Sequence, residues 1–152
     1  MSEPNKPILQ QYPVVFTLVD HDNQHCVPTK IDKSMYYLNA PKDIPINFKG
    51  ERIVDMGIIF TMPEIVTVFL KEIGVSIPMV LHMHLDSVYD TLVNKGIELV
   101  SPKIISPNYA PKELRICIKN IGEDRITIKA GEPLVCAYFT TSAPIALGLK
   151  TI

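Results

Sequence analysis

His82-Met83-His84 places two imidazoles two residues apart. On an extended strand, alternate side chains share a face. The pair could therefore begin a metal site, with Asp86 as the nearest third group. No cysteine lies close enough in sequence to complete it, and a surface or core-edge histidine pair is the simpler reading. His21, Asp22 and His25 form a second histidine and carboxylate group, but Asp20 to His25 is polar throughout and reads as a solvated loop. The cysteines Cys26, Cys117 and Cys136 are widely spaced and contain no CxxC. That argues against a disulfide framework and a zinc knuckle. Cys136 as a nucleophile would need a neighbouring base and a Gly-rich oxyanion turn. The run Leu134 to Phe139 supplies neither, so Cys117 and Cys136, in apolar strand-like runs, read as buried free thiols, as in a reducing compartment. No metal ligand set is expected.

The elements that would carry these residues are mostly strands. Val14 to Val19, Ile44 to Phe48, Arg52 to Phe60 and Thr67 to Leu70 are rich in β-formers. Leu114 to Lys119 and Arg125 to Lys129 alternate apolar and polar residues, and Leu134 to Phe139 is a buried run. Lys49-Gly50-Glu51, Asn120 to Asp124 and Ala130 to Pro133 are turns. Leu85, Val88, Tyr89 and Leu92 fall at i, i+3, i+4 and i+7, and Asn94-Lys95-Gly96 follows as a stop signal. This predicts one short helix. Many short strands with one helix predict an all-β jelly-roll or distorted barrel.

With 152 residues and 47% apolar content, the chain is long enough for one folded domain. Thirteen prolines against seven glycines favour short strands over long helices. The formal net charge is -1 and no run of Lys or Arg appears, so no phosphate-binding surface for nucleic acid is expected. No apolar stretch reaches the roughly 18 residues of a membrane span. The opening Met1 to Lys6 lacks an apolar signal core, which predicts an intracellular protein. The organisation predicted is an arm at 1–13, a β domain at 14–139 and a tail at 140–152 that packs on a neighbouring subunit.

The order of the pieces carries a resemblance. Val27-Pro28-Thr29-Lys30 is followed by Tyr36-Tyr37-Leu38-Asn39-Ala40. Ile46, Gly50-Glu51-Arg52, Met56-Gly57-Ile58, Phe60 and Met62-Pro63-Glu64 come next. Asn94-Lys95-Gly96-Ile97, Asn108-Tyr109, Glu113-Leu114, Asn120 to Asp124, Gly131-Glu132 and Leu134-Val135 complete the set. Together, over roughly residues 14 to 139, they resemble the framework of trimeric dUTPases, whose fold dCTP deaminases share. The resemblance implies a threefold trimer with sites between subunits.

The same resemblance implies that the catalytic motifs are eroded. The Asp of the first motif is Tyr37 here. The phosphate turn of the second falls on Leu70-Lys71-Glu72-Ile73-Gly74, where Lys71 keeps a charge without the fork of Arg. The water-orienting Asp of the third is Ser106, and its Tyr survives as Tyr109. Pro102 and Lys103 stand where the family keeps small residues against uracil, which implies a closed pocket. The Arg and Gln of the fourth are Pro133 and Cys136. The tail after Thr140 has one glycine in place of the family's Gly-rich arm.

Framework kept and chemistry lost predict a protein that is not an enzyme. By likeness to viral dUTPase relatives it is expected to be a structural or accessory protein, a virion or capsid component working as a homotrimer or with other viral proteins. Lys71, Ser106 and Tyr109 would be a vestigial nucleotide site. Contacts are expected at Met79 and Leu81, in an insertion over 74–86, and at Ile145, Leu147, Leu149 and Ile152. No cofactor is expected. The rival expectation is an active dUTP pyrophosphatase or a nucleotide sensor with relocated groups, in which Asp32 or Asp43 would hold magnesium.

Overall fold

The structure, a computed structural model, describes residues 14–106, 111–144 and 146–151. Among them the sequence forms strands β1 (Val15–Leu18), β2 (Thr29–Asp32), β3 (Met35–Asn39), β4 (Ile44–Ile46), β5 (Glu51–Thr61) and β6 (Ile65–Leu70). These are followed by β7 (Val75–Ser87), β8 (Ile97–Leu99), β9 (Ile104–Ile105), β10 (Glu113–Asn120), β11 (Ile126–Ile128) and β12 (Pro133–Ser142). One sheet runs β1-β5-β10-β8. A second runs β2-β3-β12-β7-β6, with β9 also on β7, and β4 pairs with β11. All pairings are antiparallel. This is the all-β architecture that the sequence predicts.

The core lies between the sheets. Val54, Met56, Ile58, Leu114, Ile116 and Ile118 come from one sheet, and Leu38, Met83, Leu85, Val135 and Ala137 from the other. They are the alternate residues of their strands, so the period-2 pattern selects the buried face. Gly57 sits in β5 with φ +70, and a Cβ there would lie 2.5 Å from the Cys26 Sγ. Only glycine lets the Cys26 loop close on this strand.

The predicted helix is absent. Leu85 is a core residue of β7, paired with Ala137, while Tyr89 is 64% exposed. The helical spacing of Leu85, Val88, Tyr89 and Leu92 joins the end of a strand to a turn. The alternation of His82 through Asp86 continues the strand, and a full ladder with β12 outweighs a few residues of helix propensity. Only a 3-10 turn, Val93–Lys95, follows, and Gly96 ends it in the left-handed region, as the stop signal predicts.

The insertion expected over 74–86 is almost wholly one continuous strand. It is β7, which makes a hairpin with β6. Pro78 is tolerated within it opposite Thr67. Past Val80, β7 has no partner in β12. Pro144 would be the residue next to meet Pro78, and two residues without an N–H end the ladder there.

Candidate functional site

Each position singled out by sequence falls on a definite place in this frame. Tyr37 lies in β3 opposite Cys136 of β12, and Cys136 lies opposite Asp86 of β7. Pro133 begins β12. Ser106 follows β9 and lines a small cavity with Phe60, Met62, Met83, Ile105, Lys112 and Leu114. Lys71 lies in the exposed turn between β6 and β7. Tyr109, Ile145 and Ile152 lie outside the described residues.

Lys71 and Ser106 do not meet. Ile105 pairs with Met83, whereas the Lys71 turn begins at the Leu70–Val75 rung. The stretch of β7 from Val75 to Met83 spans about 26 Å at roughly 3.3 Å per residue. Within one subunit, then, the Lys71 turn and Ser106 lie far apart along β7. The turn beside the fourth-motif positions is the one after β7, where the Val88 N–H donates to the Leu134 carbonyl at 3.0 Å.

The outward face of β7 and β12 carries a ladder that motif comparison missed. His82, His84 and Asp86 alternate with buried Met83 and Leu85. Across from them stand Cys136, Tyr138 and Thr140, with Ser142 beyond. The His84 Nε2 and Thr140 Oγ1 are 2.7 Å apart, and the His82 Nε2 and Ser142 Oγ 3.0 Å. The Tyr138 ring stacks on His84 with centroids 4.7 Å apart and planes 8° from parallel. Burial, then the charge of Asp86 and a hydrogen bond to it, hold the Tyr138 phenol above its ordinary range. Burial and then Asp86 also raise the Cys136 thiol, so it stays protonated at neutral pH. The shared face of the two histidines was legible from their spacing. Their partners were not, since these depend on register with a strand some sixty residues away.

Asp43 and Asp32 serve their own turns. Asp43 accepts from the Ala130 N–H at 2.8 Å and pairs with Lys129 at 3.8 Å. Asp32 accepts from the Lys33 N–H at 2.7 Å. Among the described residues no three His, Cys, Asp or Glu side chains gather to hold a metal ion.

Of the expected contact residues, Leu147 and Leu149 are 97% and 98% exposed. Met79 is half-buried, and Leu81 is buried at 5%. Leu81 therefore does not present a free contact surface. It lines a groove of about 620 Å³ at the open end between the sheets, with Val15, Phe16, Tyr36, Phe60 and Phe139.

No protein-family model and no curated protein matches the sequence. Solved structures do match. The Staphylococcus bacteriophage 80alpha dUTPase aligns with TM-score 0.66 and 13% identity over 91% of this chain and 95% of its own. The EIAV dUTPase gives 0.62 and 14%, over 91% and 99%. The chain has the dUTPase fold. The Streptococcus mutans dUTPase agrees, with TM-score 0.59 and 20% identity over 88% of this chain and 98% of that one. The solved structures that it resembles are all enzymes, which overturns the expectation of a protein that is not an enzyme. The dUTPase of phage phi11 of S. aureus, at 14% identity and TM-score 0.63, coordinates a structural Mg(II) ion. No such ligand group is present among the described residues here.

Proposed function

We propose that this is an oligomeric dUTPase-fold protein that takes a deoxyuridine nucleotide on the outward face of β7 and β12. One observation carries the reading. Asp86, the carboxylate beside the first- and fourth-motif positions Tyr37 and Cys136, belongs to a ladder of hydroxyls and imidazoles on one face. An aromatic ring and an imidazole offer stacking, and Asp86, Thr140 and Ser142 offer hydrogen bonds to a base and sugar. None of the ladder side chains is Lys or Arg, so the nucleoside part would supply most of the affinity. If the bound nucleotide is hydrolysed, Asp86 is the group that orients water.

Calorimetry with deoxyuridine, dUMP and dUTP, together with pyrophosphate release from dUTP, tests this. The three ligands should bind within about tenfold of one another, and Asp86→Asn should weaken each by about tenfold, the loss of one charged hydrogen bond. No heat at millimolar ligand and no pyrophosphate would end the reading.

A second reading is favoured by the exposed Leu147 and Leu149 and by the apolar groove. In it the protein is an assembly component, of a virion if the source is viral, and forms a homotrimer in which the tail lies on a neighbour. Removing residues 143–152 should then lower the mass in solution without changing the fold. An unchanged mass counts against it.

A further inference from the structure

The hairpin of β6 and β7 leaves an edge that the nucleotide reading does not use. β6 pairs with β7 on one side, and no described strand pairs with the other. Its residues, Ile65-Val66-Thr67-Val68-Phe69-Leu70, include no charge, proline or glycine. Edge strands are ordinarily guarded by lysine, proline or a bulge. Here the ladder to β7 runs without a register shift, and Ile65 and Phe69 are 50% and 62% exposed. The turn half of the hairpin also projects beyond the last rung between β7 and β12.

The backbone groups on that edge can be assigned. The Leu70 carbonyl accepts from the Gly74 N–H across the hairpin turn. Pro78, which has no N–H, lies opposite Thr67. Both place Thr67 on a rung that exchanges no bonds with β7, so its N–H and C=O point outward. By alternation, those of Ile65 and Phe69 do too.

We propose that β6 pairs antiparallel with β6 of a second copy, about a two-fold axis at Thr67. In this register each Ile65 faces the other copy's Phe69, and Thr67 faces itself. All three are outward-bonding rungs, so each can exchange both backbone bonds. A β-branched residue meets an aromatic ring, and threonine meets threonine, both favourable cross-strand pairs. In this register Glu64 of each copy faces Leu70 of the other, so no like charges meet. A parallel pairing would set like charges together instead. The contact is isologous and self-complementary.

Sedimentation of the full chain over a concentration series tests the pairing. The wild-type mass should double as concentration rises. Thr67→Lys, which puts a charge at the axis, should abolish the doubling and leave circular dichroism unchanged. A disulfide reports the register directly, because facing residues on such a rung have Cα atoms about 5.5 Å apart, within disulfide reach. Oxidised Thr67→Cys should give covalent dimers where oxidised wild type gives none. Phe69→Cys alone should give none, and a mixture of Ile65→Cys and Phe69→Cys chains should give them. A wild-type mass that does not rise, a Thr67→Lys protein that still doubles, or equal cross-linking at 67 and 69 would each overturn the proposal.

Discussion

Tyr138 shows how single residues set the character of the outward face. Its hydroxyl sits beside Asp86, and its ring lies on His84. Because its pKa is raised, the folded protein holds the phenolic proton more tightly than the unfolded chain does. That contribution is fully present below the unfolded value of about 10 and is lost as pH rises through the folded value. Urea denaturation at a series of pH values should show stability falling above about pH 10, less steeply in Tyr138→Phe. Cys136, raised by burial and then by Asp86, acts in the same direction in both proteins and so does not mask the difference. Identical pH profiles for the two would contradict this account. At this scale the sequence was partly legible. The shared face of the two histidines could be read from their parity. Asp86 could not, since its importance comes from the rung that it shares with Cys136.

Elements were legible wherever local pattern and pairing agree. Leu114 to Lys119 alternates in sequence and in burial. The helix over 85–92 failed because its apolar spacing spans the end of a strand and a turn. Asn120 illustrates agreement of another kind. It is fully buried; its Nδ2 donates to the carbonyls of Ile46 and Asp124 at 3.2 and 2.7 Å, and its Oδ1 accepts from Gly122 at 3.0 Å. One side chain thereby shapes the turn after β10 and ties it to β4. Asn120→Leu would leave these backbone groups without partners, at a cost of about 3 kcal/mol. A urea midpoint shift equivalent to under about 1 kcal/mol would show that water replaces the amide.

For the whole molecule, the ordered framework motifs were enough to indicate the fold, because they mark turns and packing positions that any sequence on this backbone must satisfy. They could not indicate the chemistry, since fold and site are separately determined. What joins the two sheets at one end is the close approach of Cys26 to Gly57. The Cys26 thiol is buried at 6%, and burial, then Asp20 and Glu113, raise its pKa. A reagent has no room to reach it while that loop rests on β5. Cys117 and Cys136 are only half-buried. Alkylation followed by mass spectrometry should therefore modify Cys117 and Cys136 first and Cys26 last, and Cys26 should respond to mild urea well before global unfolding. The protein thus carries a built-in clock for the opening of this seam, readable without any added label.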